Sequence, residues 1–310
     1  MRALIGPRTV ARRRLKALER QFALALEGRV SGVHQTRVAG RRLRELLPVL
    51  ASSPNDPRAR KVRRELRALT RALGPVRELD VALESLAEVA TRWPQHAGAL
   101  AAVRERFVRE RQDAAGHLTR LRDVDIERLA GRVHVLAAER TTPAAARRCA
   151  ARIAERIGAR GRALQRAVGE CGTLFAIEPL HRARIALKKF RYTLELGEQI
   201  GRFRLVATLR HLKSLQDRLG HLHDLHVLAA RIRDCEGADP AGHDALEAVA
   251  LGLDEEMRQV HCAFLAEGHR LGPVLAMARR VRVQLGVLAV RMSPAPSSSA
   301  GDGVVERRAG

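Results

Sequence analysis

Apolar residues recur every three or four positions along almost the whole chain, which is the spacing of amphipathic α-helices. Ala, Leu, Arg and Glu dominate these segments, and Val and Ile do not gather into strand-like runs. The pattern therefore predicts an all-α protein. Two of the predicted helices begin after Ser31 and near Pro179, and the others cover residues 8–27, 58–73, 75–92, 95–118, 124–138, 144–168, 203–219, 222–235 and 241–266, with a last helix interrupted at 272–273 and ending near 290.

Helical segments of the first half return in the second half. Residues 33–50, VHQTRVAGRRLRELLPVL, reappear in altered form at residues 180–196, LHRARIALKKFRYTLEL, and residues 69–86 reappear at 215–232. Two matches in the same order at nearly one offset indicate an internal duplication. We therefore expect a single domain made of two repeats and followed by a disordered Ser- and Pro-rich tail. Their expected bounds are 8–290 for the domain, 8–139 and 141–290 for the repeats, and 291–310 for the tail.

The first repeated stretch carries a stripe of basic side chains. At about 100° per residue, four of these side chains, His34, Arg37, Arg41 and Arg44, fall within a sector roughly 80° wide, beside an apolar face. Like charges at these spacings repel and weaken a helix. A single such stripe is typical of a solvated helix face, but a stripe present twice requires an anionic partner to explain it. The residues that coincide are His34 with His181, Arg37 with Arg184, Arg41 with Lys188, Arg42 with Lys189, and Arg44 with Arg191.

The two histidines occupy equivalent positions near the starts of their helices. If Ser31 and Glu178 are the N-caps, His34 and His181 are both the third helical residue, where unpaired N–H groups and the helix dipole favour an anion. The alternative is that each histidine caps its own helix or bonds a neighbouring loop. The equivalence of the two copies favours the anion site.

The next predicted helix of each repeat adds a second pair of cations. Arg64 and Arg67 match Arg210 and Lys213, and each pair is spaced i,i+3. We expect these four residues to be additional candidates for anion binding.

Composition supports an anionic partner for the whole chain. Lys and Arg number 57 against 34 Asp and Glu, a net charge of +23, which favours nucleic acid, anionic membranes or phosphate polymers. Aromatic residues are only 3%, which disfavours binding of single strands by base stacking. No run of apolar residues is long enough to span a membrane, and no signal-peptide-like run begins the sequence, so we expect a cytoplasmic protein without membrane association.

Catalytic signatures are missing from the sequence. It has no G-x-x-x-x-G-K-[ST] loop, no G-x-S-x-G elbow and no cysteine spacing typical of zinc ligands, so no cofactor is expected. His223, Asp224 and His226 form the one local cluster that resembles a metal site, but a third ligand of suitable spacing is missing. We therefore expect neither a metal nor an enzyme.

The repeated motifs resemble the signatures of a known family. H-x-x-R-x-x-x-R-R-x-R at residues 34–44 and H-x-x-R-x-x-x-K-K-x-R-Y at residues 181–192 are similar to the paired signatures of the CHAD domain, an α-helical domain recognised by its histidines. L-G-x-x-R-E-x-D at residues 73–80 and L-G-x-x-H-D at residues 219–224 resemble its second pair of motifs. The resemblance covers about residues 8–290.

The resemblance implies two four-helix bundles related by a pseudo-twofold axis, with a basic groove or pore between them. It also implies binding of inorganic polyphosphate without catalysis and, in some members, a location on polyphosphate granules. Many relatives carry a triphosphatase-type domain marked by an E-x-E-x-K strand, which this sequence does not contain, so no hydrolase activity is implied. Anion-binding residues carried over by position are His34, Arg37, Arg41, Arg42, Arg44, His181, Arg184, Lys188, Lys189 and Arg191, with Arg64, Arg67, Arg210 and Lys213 as second-line candidates.

The second motif differs between the two halves of the sequence, so the sites at this motif are not equivalent. His223 and His226 stand where the first half has Arg77 and Asp80, so we expect these histidines to pack or hydrogen-bond rather than to bind anions. A nonspecific nucleic-acid-binding or architectural protein stays the alternative, and other polyanions stay candidates, because each predicts salt-dependent phosphate contacts. A narrow cleft lined by both repeats would favour polyphosphate, and a convex basic face would favour duplex DNA.

Overall fold

The computed structural model describes residues 6–140, 142–235, 240–268 and 271–291, and these residues form helices joined by short connections. No strand occurs among them, and the all-α prediction is confirmed. Short 3₁₀ turns lie at Pro94–His96 and His117–Asp123. The α-helices are α1 Pro7–Leu26, α2 Val30–Leu50, α3 Pro57–Ala72, α4 Gly74–Arg92, α5 Ala97–Gly116, α6 Ile126–Ala138, α7 Pro143–Gly169, α8 Ile177–Gly201, α9 Val206–Arg233, α10 Pro240–Gly268 and α11 Leu271–Arg291.

Local signals explain several of the helix starts. Asp56 accepts hydrogen bonds from the backbone N–H groups of Arg58 and Ala59 and so caps α3, while Pro57 supplies the fixed φ angle that suits a first turn. Thr142 caps α7 in the same way, ahead of Pro143. These caps satisfy N–H groups that the helix itself leaves unpaired.

Helix pairs organise the packing. α1 packs along α2 and α7 along α8, while α4 packs on α5 and α9 on α10. The halves of the chain meet where α2 contacts α8 and where α4 contacts α9. Leu43, Leu46 and Leu47 on the apolar face of α2 are fully buried in one continuous core. The division into two related four-helix bundles, with the predicted domain bounds, stays a prediction.

The prediction of two helices at 203–219 and 222–235 is wrong. α9 runs without a break through Gly220, whereas the matching part of the first half breaks at Leu73 between α3 and α4. The residue after the glycine explains the difference. Pro75 follows Gly74 and cannot donate a backbone hydrogen bond, but His221 follows Gly220 and can. Gly and Pro at 272–273, predicted to interrupt the last helix, lie instead in the first turn of α11.

The predicted N-caps Ser31 and Glu178 are also wrong. α2 begins at Val30 and α8 at Ile177, so His34 and His181 are each the fifth helical residue. The backbone N–H of Val33 already donates to the carbonyl of Arg29 at 2.9 Å, which closes the helical ladder before His34. The two histidines stay equivalent, but neither lies at an open helix N-terminus. The predicted tail lies outside the described residues, except for position 291, which ends α11.

Candidate anion-binding site

A basic cleft of about 350 Å³ opens where α2, α4, α8 and α9 meet. It receives side chains from both halves of the chain, with Arg and Lys outnumbering carboxylates. The residues that line it are His34, Arg37, Val38, Arg41, Arg77, Glu78, Val81, Ala82, Arg184, Lys188, His223, Asp224 and Val227. The mixture of cations with small apolar side chains indicates a partly dry site, in which charges interact more strongly than in water.

α2 contributes the first wall of the cleft. Arg37 donates from Nη1 to the carbonyl oxygen of Thr70 on α3 at 2.5 Å, which fixes its guanidinium against the neighbouring helix. Burial, followed by repulsion from Arg41, lowers the pKa of Arg37 to about 10. Burial also lowers the pKa of His34, with Arg77, Arg41 and Arg37 adding repulsion, which favours the neutral form of this histidine in the free protein.

α8 contributes the opposite wall. Burial lowers the pKa of Arg184, and Arg41 from α2 lowers it further, although Asp224 acts in the other direction. The Nε atom of Arg184 is buried without a hydrogen-bond partner among the described residues. Burial, Arg184 and Arg41 together lower the pKa of Lys188 to about 7. Arg41 therefore repels both Arg184 and Lys188 of α8, which means that the two basic stripes face one another.

α4 and α9 form the remaining walls, with residues that the sequence reasoning did not assign to the site. Arg77 and Glu78 on α4 occupy the same positions in the second motif as His223 and Asp224 on α9. This repetition of a basic residue followed by an acidic one was the signal available in the sequence. Burial raises the pKa of Asp224, while the positive charges of Arg184 and Arg77 oppose that effect.

The structure shows where the two histidines of the second repeat, His181 and His223, lie relative to the cleft. His223 packs against His181, with their ring centroids 5.5 Å apart, and it also lines the cleft. Burial, followed by repulsion from Arg184, lowers the pKa of His223 to about 4, so it is a neutral group at pH 7. His181 therefore reaches the site through His223 rather than as part of the cleft lining.

Three predicted residues of the stripes are held by protein partners outside the cleft lining. Glu195, which is only 9% exposed, pairs with Arg191 on its own helix and lies 3.4 Å from Arg42 of α2. Arg191 also donates to Gln216 at 2.8 Å. Arg44 donates to Thr70 Oγ1 at 3.4 Å. The carboxylate of Glu195 thus neutralises part of the charge that the sequence assigned to the anion site.

The other predicted residues lie on exposed surfaces. Lys189 is exposed and does not line the cleft, and Arg64 and Arg67 are exposed on α3. On α9, Arg210 is exposed, and Lys213 forms an ion pair of 2.5 Å with Asp217. Their role in binding stays a prediction.

The cleft is suited to holding an anion by charge. Burial of several cations without matching carboxylates is unfavourable, and an oxyanion that enters would replace the lost water and cancel the repulsion. Among the described residues, no group of three His, Cys, Asp or Glu side chains is arranged to hold a metal ion. Over the same part of the chain, none of the helices has the length and apolar character needed to cross a bilayer.

Fold and cleft together define an all-α protein with a basic site at the junction of its two halves. The family model for the CHAD domain matches residues 9–233, which is well over half of the chain. The chain therefore belongs to the CHAD domain family.

Two solved structures share this fold. PptA from Streptomyces chartreusis is 18% identical, with a TM-score of 0.62 over 84% of this chain and 96% of that one. The CHAD domain from the plant Ricinus communis is 22% identical, with a TM-score of 0.54 over 91% of this chain and 93% of that one. No curated protein matches the sequence.

Proposed function

We propose that the protein binds inorganic polyphosphate in the basic cleft and leaves the polymer intact. The observation that carries this proposal is the meeting of Arg37 and Arg41 from one half with Arg184 and Lys188 from the other, all in a partly dry site. A chain of phosphates supplies closely spaced negative charges to both walls at once. Each contact between a cation and a phosphate is a charge-assisted hydrogen bond.

The shape of the site favours a thin polymer over a duplex. The cations lie inside a cleft between four helices, where a single phosphate chain fits and a rigid double helix does not. Nonspecific binding of nucleic acid is the competing function, and it would need the exposed basic surface outside the cleft.

The chemistry of the cleft favours binding over hydrolysis. Phosphoryl transfer usually needs metal-held phosphates and a positioned nucleophile or base. Asp224 is the partly buried carboxylate of the site, but it interacts with Arg184 and Arg77 and serves as their counter-charge. We also propose that the protein acts in the cytoplasm and on polyphosphate granules, as the family resemblance implies.

A double charge reversal tests this function. Arg41→Glu with Lys188→Glu replaces one cation on each wall, and we expect it to abolish binding of long-chain polyphosphate measured by calorimetry at physiological salt. Arg104→Glu with Arg109→Glu, at two exposed positions of α5, makes the same formal change in net charge and serves as the control. Retained binding in the cleft variant, or equal loss in the control, contradicts the proposed site.

Two further measurements separate the competing functions. Duplex DNA added to the polyphosphate complex is expected to displace little of the polymer, and full displacement at equal phosphate concentration supports the nucleic-acid alternative. Incubation of the pure protein with polyphosphate is expected to release no orthophosphate over time. Release that disappears in Asp224→Asn would show that the protein is an enzyme.

A further inference from the structure

The exposed side of α3 carries a row of arginines that the cleft does not include. Their spacing places them within a sector roughly 100° wide, and the row extends along roughly 16 Å of helix. None of these side chains pairs with a carboxylate in the part of the chain that the structure describes; the acidic residue of this helix, Glu65, is bound to Arg132 on α6. The residues of the row, called the α3 row below, are Arg60, Arg63, Arg64, Arg67 and Arg71.

The α3 row is continuous with the cleft. Thr70 on α3 joins the two surfaces, because its carbonyl accepts from the cleft residue Arg37 and its hydroxyl accepts from Arg44. Burial and then Arg41 lower the pKa of Arg44; Glu45 acts in the other direction, and Arg63 and Arg67 lower the pKa further. The positive charges of the cleft therefore act through Arg44 on those of α3, and the one carboxylate that acts on Arg44, Glu45, is itself paired with Arg156 and Arg160 on α7.

The matching route in the second half is closed by carboxylates. Arg191 is the counterpart of Arg44, but Glu195 neutralises it, and the first half has Pro48 at the position that corresponds to Glu195. The counterparts of the α3 row on α9 carry much less positive charge. In the same order they are Val206, Leu209, Arg210, Lys213 and Asp217, and the last two pair with each other.

We propose that a long polyphosphate chain leaves the cleft over α3 and that the α3 row makes the protein select long chains over short ones. This inference rests on the proposed function of the cleft. A short chain fills the cleft alone, whereas a long chain also contacts the α3 row and gains affinity from each added phosphate contact. The corresponding surface of α9 adds little, so the site is one-sided although the sequence is duplicated.

Matched charge reversals in the two halves test the proposal. Arg64→Glu with Arg67→Glu changes the α3 row, and Arg210→Glu with Lys213→Glu makes the equivalent change on α9. Both variants keep the cleft residues and alter only exposed positions, so helical content by circular dichroism is expected to equal that of the wild type. Dissociation constants are measured for tripolyphosphate and for long-chain polyphosphate, each at several salt concentrations.

We expect the α3 variant to lose roughly tenfold or more in affinity for the long chain. The slope of log affinity against log salt concentration should also decrease in magnitude by about two, since each lost phosphate contact lowers it by about one. Its affinity for tripolyphosphate stays close to that of the wild type. The α9 variant keeps its affinity for the long chain within about threefold, because one of its two cations is already paired.

The outcomes distinguish this inference from the proposed function. Equal loss in both variants, or no loss in the α3 variant, overturns the one-sided path while the cleft variant Arg41→Glu with Lys188→Glu still reports on the cleft. Loss of duplex DNA binding by the α3 variant with unchanged long-chain polyphosphate binding assigns the α3 row to nucleic acid and also overturns the proposal.

Discussion

Lys188 is a partly buried lysine whose charge depends on what occupies the cleft. In the free protein, burial and the repulsion of Arg184 and Arg41 hold its pKa at about 7. A bound polyanion stabilises the charged ammonium and raises that pKa in the complex. The contribution of Lys188 to affinity is therefore fully present below pH 7 and is lost as pH rises from 7 towards the pKa in the complex.

The affinity for polyphosphate should fall above pH 7 because binding then requires uptake of a proton by Lys188. The decrease is expected to approach tenfold per pH unit within that range. Dissociation constants measured at fixed ionic strength between pH 6 and 9 check the expectation. Lys188→Arg is the control, because arginine stays charged throughout, and its affinity should change much less; equal slopes in the two proteins would exclude Lys188 as the titrating group.

Residue spacing predicted part of the site and left the rest open. The stripe on α2 and its copy on α8 placed Arg37, Arg41, Arg184 and Lys188 on matching faces, and the structure brings these four together. The i,i+4 spacing of Arg191 and Glu195 held the signal for one ion pair, whereas the approach of Arg42 to Glu195 depends on how α2 meets α8. The spacing of apolar and polar residues along one helix does not predict its contacts with a helix that is distant in sequence.

At the scale of helices, the close approach of α1 and α2 positions the first basic stripe. Gly32 lies in the first turn of α2, and a Cβ atom there would come within 2.6 Å of backbone atoms of Leu24 and Ala25 on α1. Such a contact is too short to be relieved by a side-chain rotation. The glycine therefore lets the two helices pack directly against each other.

Gly32→Ala should destabilise the protein by about 1–3 kcal/mol, since the added methyl group forces α1 and α2 apart. Gly131→Ala is a matched control, because Gly131 is an exposed residue in the middle of α6 and no atom lies within 4 Å of the added Cβ. Removing that flexible glycine should instead stabilise the protein by about 0.5–1 kcal/mol. Urea unfolding of both variants measures these changes, and a neutral Gly32→Ala would mean that the helices can separate at no cost.

Helix existence was predictable from periodicity, but helix continuity depended on single residues. Both halves carry Leu-Gly at the corresponding place, which predicted the same break twice. The break occurs only where Pro75 removes a donor, and α9 continues through Gly220 because tertiary contacts on α4 and α10 outweigh the low helix propensity of glycine. The helix starts at Ser31 and Glu178 were mispredicted for a related reason, since the chain enters α2 and α8 in helical geometry before a preferred capping residue appears.

For the whole molecule, the net charge of +23 opposes the compact state and favours anionic ligands. Added salt screens both effects. We expect the midpoint of thermal unfolding of the free protein to rise with sodium chloride, while affinity for polyphosphate falls over the same range. Scanning calorimetry and titrations at matched salt concentrations test this pair of trends, and a midpoint that falls with salt would show that surface ion pairs outweigh the repulsion.

The partly buried, mutually repelling cations of the cleft also have a consequence for protein turnover. Repulsion among these cations favours unfolding when the cleft holds no anion. Unfolded molecules are the substrates of cellular proteases. On the proposed function, bound polyphosphate would shift the equilibrium towards the folded state in proportion to its concentration. The abundance of the protein should then follow the size of the polymer store, because copies without ligand are degraded first. Binding and lifetime would be regulated by the same group of charges.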